Sequence, residues 1–273
     1  MIPFTVCICV YHRDNYKYFK EAVESVTTRQ IVKPNEVVIV VDGPIYGSLK
    51  EIVEAYEKDK DLFKVIWLPE NRGLGNALHL GVEEAGYNYI ARMDSDDIAD
   101  PNRFEKQIQY LKENPSCDII GGQIAEFIDD ATNIVGKRTV PIENSDIYCY
   151  LKSRCPFNHM TVVFKKDAVL KVGNYLDWHF NEDYYLWIRM AEAGCKFANL
   201  PDTLVNVRVG KDMYRRRGGW KYFKSEAKLQ RYMLTHKIIS LPRYIYNVTG
   251  RLIVQVSMPN WLRGFVFQKL FRK

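Results

Sequence analysis

Along the first hundred positions the apolar residues fall into short blocks separated by stretches of helical spacing. Residues 4–11 (FTVCICVY) and 36–41 (EVVIVV) are nearly unbroken runs of β-formers, the pattern of strands buried on both faces. Residues 63–68 and 87–93 predict two more. Between them, Phe19, Ala22, Val23 and Val26 recur at helical spacing behind Asp14, a candidate cap. Leu49, Ile52, Val53 and Tyr56 repeat that spacing, and a third helix is predicted over 74–85. Strand and helix alternate, so the pattern predicts a parallel sheet with helices on both faces. Ligands of such sheets bind beyond the carboxyl ends of the strands, where Tyr11, Asp42 and Asp94 lie.

The pattern then changes. Pro101 opens a helical stretch as a first-turn proline would, and Pro115 follows its end. Strands are predicted over 117–128, 134–140, 160–165 and 204–207, with a helix carrying Asp183, Trp187 and Met190. From Gly218 the sequence is aromatic, basic and helical, interrupted at Pro242 and Pro259. The predicted organisation is an α/β body over 1–210, Rossmann-like in 1–100, and a helical appendage over 211–273.

Charge sharpens that division. The 273 residues carry a net charge of +6, yet 211–273 hold fifteen Lys/Arg against only Asp212 and Glu226. The rest of the chain is net −7. An acidic body with a basic tail suits an anionic partner; a solvated basic helix is the plainer reading. In the last stretch Trp261, Leu262, Phe265, Val266 and Leu270 share a helical face, ringed by Arg263, Lys269, Arg272 and Lys273. That composition fits an anionic membrane surface, docking on the catalytic body, or a homodimer contact. No run of about 18 uncharged apolar residues predicts a membrane span. No signal peptide precedes the first strand, and the six cysteines lack metal or redox spacing, so reduced thiols in a cytoplasmic protein are expected. Asn247-Val248-Thr249 is read as an accidental sequon.

The residues with chemistry cluster at three places. Asp94-Ser95-Asp96-Asp97 gathers carboxylates at a strand end, where they repel one another unless a cation compensates. Mg²⁺ or Mn²⁺ takes a few such oxygens and completes its shell with water and phosphate. The alternative is an Asp-rich turn capping the next helix, the role expected of Asp97. Glu182-Asp183 begins a helix, where the macrodipole favours carboxylates and where one is also displayed to take a proton. His159 is either a polar contact or a hydrogen-bonded structural histidine, and Arg208, after the strand over 204–207, is a candidate anion contact. The guanidinium of Arg72 would fork well onto phosphate or base oxygens. Arg215-Arg216-Arg217-Gly218-Gly219 is either a mobile lid or a linker.

Five segments occur in order: TVCICVYHRDNY, VVIVVDGP, ENRGLGNALHLG, YIARMDSDDIADPNRFEKQ and NEDYYLWIRM. Together, over roughly residues 3–208, they resemble family 2 glycosyltransferases of the GT-A fold. The likeness is greatest to enzymes of bacterial capsule, exopolysaccharide (amylovoran included) and O-antigen synthesis. The resemblance implies a mixed central sheet, with a nucleotide-sugar-binding half in 1–100 and an acceptor-binding half in 101–210. It implies Val10 and Tyr11 against the base, Arg13 near the phosphates, Asp42 at the uracil edge, and Asn71 and Arg72 on base or diphosphate. Many relatives have a second acidic residue where Val41 stands here. Asp96 would bind Mn²⁺ or Mg²⁺, with Asp94 and Ser95 beside metal and nucleotide-sugar. Asp183 would be the catalytic base supported by Glu182, and His159 and Arg208 would contact acceptor or diphosphate. The implied activity is inverting transfer from a UDP-sugar, UDP-galactose being the leading candidate, to a saccharide. The acceptor implied is lipid-linked, which places the protein at the inner face of the plasma membrane.

Other classes fit less well. A sugar nucleotidyltransferase needs a Gly-rich phosphate loop where Tyr11-His12-Arg13-Asp14-Asn15 stands, and a dehydrogenase needs G-x-G-x-x-G there. A nucleic-acid binder would explain the basic tail but not the acidic body. A non-catalytic nucleotide-sugar-binding or scaffold member is the remaining alternative, opposed by the intact acidic motifs.

Overall fold

The computed structural model describes residues 2–210 and 218–258. The basic run 215–217 and the amphipathic stretch 260–273 lie outside the described residues.

Nine strands of one sheet carry the described chain. β1 (Phe4–Val10), β2 (Glu36–Val41), β3 (Phe63–Trp67) and β4 (Tyr89–Met93) pair in parallel in the order β3-β2-β1-β4. Helices α1 (Tyr16–Val26), α2 (Gly47–Glu57) and α3 (Leu74–Glu84) form the crossovers. This is the alternation expected from the apolar pattern. The sheet then turns mixed, because β8 (Val163–Lys165) runs antiparallel to β4. Beyond it the order is β6 (Ile119–Phe127), β9 (Phe197–Arg208) and the two-residue β5 (Ile98–Ala99), with β7 (Ile134–Arg138) on β6.

Two expected helix starts are different. Asn15, not Asp14, caps α1 by accepting from the Lys17 amide at 2.9 Å. Pro101 lies in a turn before α4 (Arg103–Glu113) rather than in its first turn. Asp100 organises that turn, its Oδ1 accepting from the Asn102 amide at 2.9 Å. Pro242 interrupts nothing: it sits in the first turn of a helix, where no amide is required.

Between β7 and β9 come α5 (Asn144–Leu151), α6 (Lys166–Lys171) and α7 (Glu182–Glu192). The chain continues into α8 (Trp220–Thr235) and α9 (Leu241–Leu252). Leu229, Met233 and Ile239 are buried in the same cluster as Tyr184, Trp187 and Ile188 of α7. Each such side chain contributes about 1.5–3 kcal/mol of burial. Polar contacts complete the join: Asn247 Nδ2 donates to Lys152 O at 2.9 Å and to Gln230 Oε1 at 2.8 Å. Arg251 pairs with Glu226 and donates to Ser153 O at 2.8 Å. Of the roles open to the appendage, docking on the body is what its described part does. All six cysteines are free thiols.

Candidate active site

β4 places an arginine in an otherwise apolar strand. Arg92 is 2% exposed, and its Nη2 lies 2.5 Å from Asp94 Oδ1. Two positions apart on a strand, the pair shares one face of the sheet. Burial works against the cation, Asp94 works for it, and the balance leaves the guanidinium above its ordinary value. Sequence reasoning missed Arg92; a lone charge inside YIARM was the available signal.

The acidic turn is held from three sides. Asp14 Oδ2 accepts from Ser95 Oγ at 2.9 Å and from the Tyr11 amide at 3.0 Å, joining the loop after β1 to the turn. Burial, and more weakly the charge of Asp94, push Asp14 up to about 6. Asp97 is 1% exposed, and its Oδ1 accepts from the Arg208 amide at 2.9 Å. It therefore pins β9 to the turn instead of capping α4. Arg208 completes the clamp, its Nε donating to Asp96 O at 3.1 Å, Nη1 to Asp129 O at 3.0 Å and Nη2 to Glu21 Oε2 at 2.7 Å. Its guanidinium also lies 3.8 Å from the Tyr18 ring centre. Asp96 keeps its side chain exposed. The surrounding protein, then the charges of Asp94 and Asp14, raise its carboxyl above the ordinary range.

On the nucleotide side, Asp42 is the organising residue. Its Oδ1 accepts from the Arg72 amide at 2.7 Å, and its Oδ2 from Asn71 Nδ2 and the Gly73 amide, both at 3.0 Å. Asp42 and Asn71 thus shape the 71–73 loop against the ends of β1 and β2, where the Asp42 amide donates to Val10 O at 2.8 Å. Among the described residues the Arg72 guanidinium pairs with Glu70 alone, at 3.6 Å, and Arg13 is exposed, so both guanidiniums can turn toward an anion. Gly43 makes this packing possible. Its φ is +86°, and a Cβ there would lie 2.6 Å from the Asn71 amide nitrogen. Gly43→Ala should cost about 1–3 kcal/mol through strain and clash, lowering the melting temperature. A thermal melt that matches wild type would show that the loop yields freely.

α7 opens on the carboxylate pair. Asp183 Oδ1 accepts from the Tyr184 amide at 2.7 Å, and its Oδ2 from Cys155 Sγ at 3.4 Å. Burial raises Asp183 against those hydrogen bonds and the charge of Arg92. Burial, then the charge of Asp183, push Glu182 up to about 7. Nearby, His159 Nε2 lies 2.9 Å from the Tyr175 hydroxyl. Burial, then the charge of Arg92, hold that imidazole well below its usual value, so it is neutral.

A cavity of about 1500 Å³ joins these groups. Arg92, Asp94 and His159 line it together with Glu182 and Asp183, and residues of α9 form another of its walls. The structure therefore brings Asp94, His159 and the α7 pair to one space. Val10, Tyr11, Arg13, Asp42, Asn71 and Arg72 lie outside its lining, at the carboxyl edge of β1 and β2.

Among the described residues no three His, Cys, Asp or Glu side chains form a ready-made metal cage. The residues present fit a hard divalent ion held jointly with a ligand: Asp94 and Asp96 offer carboxylate oxygens, and their mutual repulsion is what a cation would relieve.

The profile of Glycosyl transferase family 2 matches residues 5–175. The chain belongs to that family. This family 2 glycosyltransferase is 42% identical over 228 residues to an uncharacterized glycosyltransferase of Haemophilus influenzae, 84% of each chain being covered. It is 37% identical to the amylovoran biosynthesis glycosyltransferase AmsE of Erwinia amylovora, over 97% of this chain and 98% of that one. It is 33% identical to the UDP-Gal:alpha-D-GlcNAc-diphosphoundecaprenol beta-1,3-galactosyltransferase of Escherichia coli, over 99% and 97%. Among solved structures, S. aureus TarS 1-349 in complex with UDP-GlcNAc superposes with a TM-score of 0.66 at 16% identity, covering 92% of this chain and 73% of that one. The mannosyltransferase PcManGT of Pyrobaculum calidifontis, in complex with GDP-Man and Mn²⁺, gives 0.62 at 15%, covering 96% and 72%. These likenesses establish the GT-A fold, and the relatives establish a glycosyltransferase resembling enzymes of exopolysaccharide synthesis.

Proposed function

We propose that this glycosyltransferase moves a hexose from a UDP-sugar to a hydroxyl of a lipid-linked saccharide, with inversion at the anomeric carbon. The observation that carries the reading is that Asp94 of the acidic turn and the Glu182–Asp183 pair face the same cavity. Uridine lies at the edge formed by Val10, Tyr11 and Asp42, and Arg13 and Arg72 reach the diphosphate. Asp94 and Asp96 would hold a divalent ion, which when bound supplies Lewis-acid stabilisation of the charge on departing UDP.

Asp183 takes the proton of the acceptor hydroxyl as its oxygen bonds to the anomeric carbon. The bond from that carbon to the UDP oxygen breaks on the opposite face, so the configuration inverts and no covalent enzyme intermediate forms. Glu182 supports the base, and neutral His159 offers the acceptor a hydrogen bond. The Escherichia coli relative's name, with UDP-Gal as donor and a diphosphoundecaprenol-linked sugar as acceptor, supports this choice of substrates. Contact with an anionic membrane through 211–273 follows from the charge of that region. No helix among the described residues is long and apolar enough to cross a membrane.

The test is a thermal-shift panel of UDP-, GDP- and dTDP-sugars, with and without Mn²⁺. A ligand at 100 times its Kd stabilises by about 2.7 kcal/mol, which identifies base and ion together. A melting point that no nucleotide moves would overturn the reading.

A further inference from the structure

We propose that the side of the cavity lined by α9 and Arg138 is a seat for the diphosphate and first apolar segment of the acceptor. Arg138 and Arg243 hold the diphosphate, and Leu241, Ile245 and Ile253 hold the chain. This rests on the reading above that the acceptor is a lipid-linked saccharide.

Size is the first observation. Pockets for small ligands measure roughly 300–1000 Å³, and the cavity of about 1500 Å³ exceeds that although the nucleotide-side residues lie outside its lining. Its lining is also of two kinds. Arg92, Asp94, Glu182 and Asp183 contribute charged groups, whereas α9 contributes Leu241 and Ile245. Leu241 and Ile245, one turn apart on α9, are 57% and 55% exposed, and Ile253, just past its end, is 52% exposed.

Positive charge lines the same cavity. Arg138 and Arg243 line the cavity, and neither has a carboxylate in ion-pair reach among the described residues. Arg251, by contrast, is paired with Glu226. Burial and the neighbouring charges of Arg138 and Arg251 lower Arg154, so guanidiniums crowd this wall. Planar guanidiniums fork onto phosphate oxygens.

The seat is in register with the base. Arg138 Nη2 donates to Cys155 O at 3.0 Å, and Cys155 Sγ donates to Asp183 Oδ2 at 3.4 Å. One residue thus links the guanidinium to the base, so a diphosphate held at Arg138 lies close to the carboxylate at Asp183.

Calorimetric titration of the full chain, saturated with UDP and Mn²⁺, tests this. Dodecyl diphosphate below its micelle concentration is the probe, with inorganic pyrophosphate, dodecyl glucoside and phosphatidylglycerol vesicles as comparators. Wild type should bind dodecyl diphosphate at one site that UDP does not displace, and more tightly than pyrophosphate or dodecyl glucoside. The double variant R138Q/R243Q should lose at least tenfold (~1.4 kcal/mol) for dodecyl diphosphate and keep its affinity for UDP. Ile245→Ser should weaken dodecyl diphosphate but not pyrophosphate, and melting curves should show both variants folded. Unchanged dodecyl diphosphate binding in both variants would overturn the seat, as would displacement by UDP. Arginine-dependent binding of vesicles without binding of the diphosphate would also overturn it, making the wall a membrane-docking face. Absence of UDP binding with the diphosphate still held through the arginines would instead sink the donor reading and leave the seat standing.

Discussion

Asp183→Asn should reduce sugar transfer by about 10²–10⁴-fold, the contribution of a positioned proton acceptor. Donor affinity should stay near wild type, because Asp183 lies on α7 and not in the acidic turn. The pH profile gives a second readout. Only the ionised carboxylate accepts a proton, so activity falls as the pair takes up protons on the acid side. Burial raises Asp183 and pushes Glu182 up to about 7, which shifts that loss from the ordinary carboxylate range toward neutrality. The acid limb of the rate should therefore sit above the ordinary carboxylate range, with an apparent pKa that belongs to the pair. Glu182→Gln removes one negative charge, so the acid limb should move to lower pH. Single-turnover rates with pre-bound donor across pH 5 to 9 decide the matter. An Asp183→Asn enzyme with wild-type rates would place the base elsewhere.

Asp96→Ala should lower metal-dependent turnover by about 10³-fold, the equivalent of several kcal/mol of lost charge stabilisation. The substitution is a clean one, because the turn is fastened through the Asp96 carbonyl, which Arg208 Nε reaches, and not through its carboxylate. The variant should remain folded and bind UDP, yet lose the additional thermal stabilisation that Mn²⁺ gives with UDP. Asp97→Asn should behave differently: that side chain is buried under the Arg208 amide, and the variant should lose stability first. Full activity of Asp96→Ala after Mn²⁺ is removed would dismiss the metal assignment.

The sequence was most legible where burial is two-sided. β1, β2 and β4 are apolar nearly end to end because helices cover both faces, and a run so short and so rich in β-formers suits little but a buried strand. β8 shrank from a longer expected strand to three residues, since the 3₁₀ turn His159–Thr161 takes its predicted start. Local composition does not distinguish these. The role of Asp14 was hidden for a different reason. Its hydroxyl partner Ser95 is 81 positions away, while a helix start lies next door, so local reasoning chose the cap. Asp97 was misread in the same way, its partner being the amide of Arg208. The facing of Asp94 and Glu182–Asp183 was foreseen only as motif order; no periodicity brings residues so distant into one cavity. The basic, aromatic appendage was ambiguous in principle, because one amphipathic face serves lipid, a neighbour or the chain's own body. Leu229 and Met233 commit one face of the described helices to α7.

The clamp at Arg208 bears on how such enzymes can be recombined. One residue closes the donor-side turn with its amide and guanidinium, and it is also the last of β9. Everything that fixes the acidic turn is therefore encoded before residue 210, while the α9 side of the acceptor wall is encoded after 218 and Arg138 stays with the body. A chimera joined just past Arg208 would inherit its donor site whole and exchange only the α9 side of its acceptor wall. The graft must still supply side chains that fill the α7 surface now covered by Leu229 and Met233. That surface, more than the catalytic residues, sets which acceptor modules can be exchanged.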